Sequence, residues 1–171
     1  YGIRATGLRF FTVYGPWGRP DMAYYKFVKA ALEDKRIDVY NNGEMERDFT
    51  YIDDIIEGVV RVIDKPAEPS IDFAINPSSD RSSAPYRIYN LGNGDPIKLQ
   101  EMITIIEEML GRKIQKRYLP MQEGDIVATY ADTENLREEI GFSPTKPFSS
   151  GMKLFVEWYL QAAVEIQRIK E

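Results

Sequence analysis

The sequence predicts an α/β fold in which a parallel sheet is flanked by helices, and three observations carry that reading. Residues 5–14, ATGLRFFTVY, are mostly apolar, rich in β-branched and aromatic side chains, and stop at Gly15-Pro16; such a run reads as a strand buried on both faces, the usual state of a parallel strand under helices. Short strand-like runs then alternate with longer segments of helical spacing, the pattern of an α/β chain. With 171 residues, 43% of them hydrophobic and 29% charged, the chain suffices for one domain with a buried core. A buried parallel strand this early needs partner strands from elsewhere, and the chain opens on Tyr1 rather than methionine. The expectation is therefore a fragment of a larger fold.

The elements follow in order. GPWGRPDM, residues 15–22, concentrates two glycines, two prolines and an aspartate and reads as a loop. Residues 23–32 have helical spacing, with Phe27, Val28 and Leu32 on one side. A short strand is expected over 37–40, a turn at Asn41-Asn42-Gly43, and a second strand over 47–51. A helix starts at Asp53 or Asp54, carries Ile55, Val59, Val62 and Ile63 as its inward stripe, and ends before Pro66. Residues 66–85 are rich in Pro, Ser and Asp and predict an exposed insertion. Then come a strand over 86–91 and a helix over 99–110, with Ile103, Ile106 and Leu110 inward and Gly111 as its cap. A strand over 114–119 is followed by a short helix over 133–140 with Thr133 at its N-cap. The last helix spans 149–169 with Phe155, Val156, Tyr159 and Ile166 facing the core.

Composition excludes several classes of chemistry. The 27 acidic residues outnumber the 22 basic ones, for a formal net charge of -5, without the basic excess that grips a phosphate backbone, so nucleic acid is not an expected partner. Zero cysteines remove disulfides, thiolate metal sites and thiol nucleophiles, and fit a cytoplasmic location. Zero histidines remove imidazole bases, His-based triads and the usual zinc sites. No apolar run approaches the roughly 20 residues of a membrane span, so no membrane partner is expected.

Three local matches to known motifs are weak. Gly92-Asn93-Gly94 is half of a G-x-G-x-x-G fingerprint, with Ile at position 97, and reads as a turn after a strand. Tyr25 and Lys29 have the Y-x-x-x-K spacing that pairs a tyrosine base with a lysine, but any amphipathic helix rich in both residues produces it. Asp53-Asp54 reads as helix-start acid complementing the macrodipole rather than as half a metal site.

Three other groups join cations and polar side chains to loops at element ends. Thr12 closes the first strand and is followed seven residues later by Arg19 in the Gly/Pro loop. Arg47 sits between a turn and a strand, and Gln122, Gly124 and Asp125 lie in the turn after the strand at 114–119. Arginine grips carboxylates and phosphates through two parallel N–H groups, and an aspartate can accept from both hydroxyls of a ribose.

Longer blocks carry a resemblance: GLRFFTVYGPWGRPDMA, IDVYNNGEMERDFTYIDDIIEGV, YNLGNGDPIKLQEMI, PMQEGDIVATYADT and FVEWY. Together, over about residues 7–159, they resemble the C-terminal half of extended short-chain dehydrogenase/reductase enzymes that act on nucleotide sugars, most closely the UDP-glucuronate 4-epimerase branch of capsular polysaccharide biosynthesis. The resemblance implies that residues 1–16 are the end of an NAD-binding Rossmann domain, contributing the last strand of its parallel sheet. Residues 17–171 would then be the smaller, mixed α/β lobe that binds the nucleotide sugar. It places the Gly-rich fingerprint and the catalytic Tyr-x-x-x-Lys upstream of Tyr1, so this chain alone is expected to be inactive.

In the intact enzyme a tyrosinate would take the C4 hydroxyl proton while hydride passes to NAD, and the keto sugar would turn before taking the hydride back. By the same resemblance, Phe11 and Val13 lie beside the nicotinamide, with Thr12 beside the sugar. Arg19 would face the sugar carboxylate, and Met22 would offer its N–H to the diphosphate. Asp38, Val39 and Tyr40 would hold uracil, Arg47 the diphosphate, and Gln122 with Asp125 the diphosphate and ribose. A homodimer is implied for the intact enzyme. The alternatives are a 4,6-dehydratase or another UDP-hexose epimerase of this family, or a stand-alone, non-catalytic nucleotide-sugar-binding module. The Gln122 position carries arginine in galactose epimerases, which counts against UDP-galactose.

Overall fold

The structure, a computed structural model, describes residues 2–170, with side chains to residue 163. Three small sheets form the frame. Strand β1 (Ala5–Phe10) pairs in parallel with β5 (Tyr86–Leu91), Ala5 opposite Tyr86. Strand β2 (Thr12–Tyr14) pairs in parallel with β4 (Glu46–Tyr51), which pairs antiparallel with β6 (Pro96–Lys98). Strand β3 (Ile37–Val39) pairs in parallel with β7 (Lys116–Tyr118). Helices α1 (Ala23–Leu32), α2 (Ile52–Ile63), α3 (Leu99–Leu110) and α4 (Phe148–Lys170) cover them. The α/β class with parallel pairing is as the sequence predicts.

The first strand departs from expectation. Residues 5–14 form two strands, because Phe11 donates its N–H to the Leu91 carbonyl at 3.2 Å and the chain then exchanges β5 for β4 as its partner. Nor is it buried on both faces: β1 has one partner among the described residues, and Phe10 is 51% exposed. Helix α2 begins one residue before the expected aspartates, and its Ile63 is 70% exposed rather than inward. Ile63 lies eight residues after Ile55 and is therefore turned about 80° away from it, while Gly58 and Val62 share the buried side with Ile55.

Tyr40 begins a 3₁₀ turn, Tyr40–Gly43, in which Asn41 and Asn42 have φ of 48° and 51°. Asparagine tolerates this left-handed region better than most residues. Thr133 does precede the helical turn at 134–140, but the side chain that accepts the Glu134 N–H is Asp132, at 3.2 Å. Gly111 caps α3 at φ 63°. Residues 66–85 form turns and loops, largely exposed, as expected. The side chain of Ile166 lies outside the described residues.

Two hydrophobic clusters hold the frame. The larger joins Tyr14, Phe49 and Tyr51 of β2 and β4 to Phe27 and Val28 of α1, Met102, Ile103 and Ile106 of α3, and Met152, Phe155 and Val156 of α4. The smaller packs Ile55 and Val62 of α2 on Tyr89 and Leu91 of β5 and on Leu136, Ile140 and Phe142. Aromatic edges organise the first: Tyr14 meets Tyr24, Phe49 and Tyr51 edge-on at centroid distances of 6.2, 5.9 and 5.6 Å. Gly151 lets α4 approach this group, since a Cβ there would stand 2.3 Å from the Tyr14 hydroxyl.

A buried carboxylate ties the sheets to the C-terminal half. Asp48 is fully buried and accepts the N–H groups of Asn93, Gly94 and Ala131, each at 2.9 Å. The Asp48 N–H donates to the Thr129 hydroxyl at 3.0 Å, so the segment after Asp125 runs along β4. A second buried carboxylate, Glu107 of α3, accepts from Lys113 at 2.7 Å, from the Ile114 N–H at 3.0 Å, and from Lys116. Burial opposes its charge, but these donors outweigh burial and hold the group at about 2. Among the described residues, no helix is long and apolar enough to cross a membrane.

Candidate functional site

Two cavities flank the start of α1. One, of about 650 Å³, is lined by Phe11, Thr12, Val13, Arg19 and Met22 among others, together with Tyr24 and Thr129. The other, of about 480 Å³, is lined by Asp38, Tyr40, Arg47 and Asp125, with Asp21, Lys26 and Arg36. Residues 19–24 thus contribute to both, alternating between them: Arg19, Met22 and Tyr24 on one, Asp21 and Ala23 on the other. Among the described residues, no side chain caps the N-terminus of α1. Uncapped helix N–H groups and the macrodipole favour an anion at such an end.

In the larger cavity, β2 supplies Thr12 and Val13, and Val13 also packs on the smaller hydrophobic cluster. The 15–22 loop follows. Trp17 has φ 63° and is 84% exposed, with its ring 5.3 Å from Trp158 of α4. Arg19 is 74% exposed and paired with Asp21 at 3.1 Å, so it is not a buried cation awaiting an anion. Its other contact is local, to the Met22 sulfur at 3.6 Å. Met22 donates its N–H to the Arg19 carbonyl at 3.2 Å, within the loop itself.

In the smaller cavity, Arg47 reaches Asp125 at 2.9 Å and donates to the carbonyls of Glu46 at 2.8 Å and Val127 at 3.3 Å. Asp125 also accepts the Ile126 N–H at 2.8 Å. The guanidinium is thereby aimed from near the start of β4 by three acceptors. Asp38 is held by Arg117 through two bonds of 2.7 Å, and those bonds keep its carboxyl below the ordinary range. Val39, expected at the base, is fully buried and lines neither cavity, because it points into the core and its carbonyl accepts the Leu119 N–H at 2.9 Å in the pairing of β3 with β7. Gln122 is exposed and lines neither cavity; its carbonyl accepts the Asp125 N–H at 3.2 Å.

Lys26, Arg36, Arg117 and Tyr24 escaped the sequence reading. Each owes its place to α1 meeting β3 and the 15–22 loop, or to the pairing of β3 with β7, and no local spacing signals that. The Y-x-x-x-K match is placed away from both cavities: Tyr25 stacks edge-on with Tyr159 at 5.1 Å, and Lys29 is exposed.

A dinucleotide's needs can be tested on these residues. The Gly92–Gly94 turn is no phosphate cradle, because Asn93 and Gly94 donate their N–H groups to Asp48. Phe11 and Val13, with Thr12 between them, line the larger cavity at a strand end, an apolar edge of the kind a planar ring can lie against. Among the described residues, no group of His, Cys, Asp and Glu could hold a metal ion.

A family model described as the NAD dependent epimerase/dehydratase family matches residues 1–92. The chain is 49% identical over 162 residues to Protein CapI of Staphylococcus aureus, covering 94% of this chain and 48% of that protein. It is 44% identical over 163 residues to a probable UDP-glucuronate 4-epimerase of Rhizobium meliloti, again covering 94% of this chain and 48% of the other. Among solved structures, UDP-glucuronic acid 4-epimerase from Bacillus cereus in complex with UDP-glucuronic acid and NAD superposes with TM-score 0.75 at 30% identity, covering 91% of this chain and 45% of that one. The chain spans about half the length of the curated relatives it matches.

Proposed function

This chain belongs to the NAD dependent epimerase/dehydratase family, and on that premise we propose that it is the nucleotide-sugar-binding part of an NAD-dependent 4-epimerase interconverting UDP-glucuronate and UDP-galacturonate. The observation that carries the reading is the pair of cavities meeting at the uncapped start of α1. A nucleoside diphosphate sugar has that shape: nucleoside in the smaller cavity, sugar in the larger, and diphosphate across the helix N-terminus. Relatives named as UDP-glucuronate 4-epimerases, one of them with UDP-glucuronic acid and NAD bound, support the substrate class.

In this reading residues 1–16 complete the dinucleotide-binding domain and residues 17–171 form the substrate lobe. Bound NAD supplies a hydride acceptor and donor. The remaining work belongs to the protein. Arg47 neutralises the diphosphate, its guanidinium already aimed by Asp125 and the Glu46 and Val127 carbonyls. Asp38 contributes position rather than charge, since Arg117 holds its carboxylate. Tyr40 forms the wall for the base with Val39 buried behind it, and Asp125 closes over the ribose, its N–H held by the Gln122 carbonyl. Thr12 faces the sugar, and Met22 turns its N–H to the diphosphate by giving up the Arg19 carbonyl. Holding the nucleotide while the sugar turns is the lobe's share of catalysis. The catalytic base is supplied outside this lobe, and the whole enzyme is a cytoplasmic homodimer.

Uronate choice falls to Arg19, which exchanges Asp21 for the C6 carboxylate. Arg19→Met in the full-length enzyme should lower kcat/KM for UDP-glucuronate more than for UDP-glucose. The expected discrimination is about 1 kcal/mol, the scale of an exposed charge pair rather than a buried one. Equal losses on both substrates would assign Arg19 to the loop instead.

A further inference from the structure

Tyr24, in the first turn of α1, is 1% exposed, and its ring is fixed edge-on against Phe155 at 4.8 Å and Tyr14 at 6.2 Å. Its hydroxyl is buried with no hydrogen-bond partner among the described residues. Other tyrosines in the core do not share this condition. Tyr14 donates to the Phe148 carbonyl at 3.2 Å, and Tyr89 to Glu139 at 2.7 Å. A buried hydroxyl without a partner has lost its water and gained nothing, whereas phenylalanine would fill the same space without that cost. The position of this orphan donor supplies a reason for it, because Tyr24 lines the larger cavity with Thr12 and Arg19.

The loop over it is built to approach closely. A Cβ on Gly18 would stand 2.1 Å from the Tyr24 hydroxyl and 3.0 Å from the Gly15 carbonyl, so only glycine lets the backbone cover the oxygen. Trp17, next to it, holds a left-handed φ that a bulky residue adopts only under constraint. Burial pushes the phenol up to about 12, against the opposing pull of Arg19, so the hydroxyl keeps its proton and remains a donor near neutral pH.

We propose that the Tyr24 hydroxyl is a further binding group of this site, donating to an anionic oxygen of the bound sugar nucleotide once the Gly15–Arg19 loop shifts off it. This rests on the nucleotide-sugar reading above. The oxygen belongs either to the C6 carboxylate beside Arg19 or to the diphosphate at the start of α1, and one donor chemistry serves both.

The test is Tyr24→Phe in the full-length enzyme, with Arg19→Met measured beside it. The expected result is a rise of about tenfold in KM for UDP-glucuronate, kcat little changed, and a thermal midpoint equal to or above wild type, because only an unpaired hydroxyl is removed. A tenfold weaker inhibition by UDP in the same variant places the bond on the diphosphate; unchanged UDP inhibition places it on the carboxylate. Unchanged KM overturns the proposal, as does a fallen midpoint with unchanged KM, which would make the hydroxyl structural. If Arg19→Met alters uronate selectivity while Tyr24→Phe alters nothing, this inference fails and the parent reading stands. If the wild-type enzyme binds no UDP sugar, both fail.

Discussion

Asp48 offers the sharpest perturbation of the frame that holds the site. Its carboxylate is fully buried, has no cation as a hydrogen-bond partner among the described residues, and accepts three backbone N–H groups at 2.9 Å from two separate segments. Asp48→Ala deletes three charge-assisted bonds and strands three amides away from water. At roughly 1–1.5 kcal/mol net for each amide, the loss is about 3–4.5 kcal/mol, a large part of the 5–15 kcal/mol available to a typical domain. Asp48→Asn keeps an oxygen for the Gly94 and Ala131 N–H groups and turns its NH₂ toward the Asn93 N–H, so a loss of about 2–3 kcal/mol is expected. Urea unfolding of the three proteins gives the ranking, and hydrogen exchange at Asn93, Gly94 and Ala131 should quicken first. An alanine variant within about 1 kcal/mol of wild type would refute the clamp.

Two further outcomes follow from the same geometry. Arg47→Ala should weaken UDP binding by about 1.5–3 kcal/mol in a calorimetric titration, and affinity equal to wild type would remove Arg47 from the diphosphate site. Glu107, held at about 2 against 4.5 for the ordinary carboxyl, contributes stability that is complete above pH 4.5 and lost as pH falls toward 2. Glu107→Gln should cost about 2–3 kcal/mol at neutral pH, discounted for the exposed Lys113, and flatten that acid limb in pH-dependent unfolding.

Local periodicity made much of this fold legible. The bounds of α1, α3 and β5 coincide with the sequence reading because each has a clean period and a stop signal, such as Gly111 after Leu110. What it could not show depends on partners far along the chain. β6 is three residues beginning with a proline and exists by pairing with β4, as Arg47 opposite Ile97. The break at Phe11 is a change of partner strand, invisible in an apolar run. Of the expected site residues, Thr12, Arg19, Met22, Arg47 and Asp125 do line the two cavities, and each sits at an element end in a distinctive block, whereas Val39 and Gln122 line neither. Tyr24 was not, since a tyrosine in the first turn of a helix looks like any core aromatic until its hydroxyl is found without a partner. Arg19 was readable in position but not in exposure.

The contact between Trp17 and Trp158 has an optical consequence. These are the chain's two tryptophans, one in the loop beside Arg19 and the other on α4, with ring centres 5.3 Å apart. Indoles this close couple their transitions, so their near-ultraviolet circular dichroism and emission depend on how the loop lies. Any displacement of that loop from α4 therefore writes its own spectroscopic record, and stopped-flow fluorescence can time the movement without a dye, a label or an engineered cysteine.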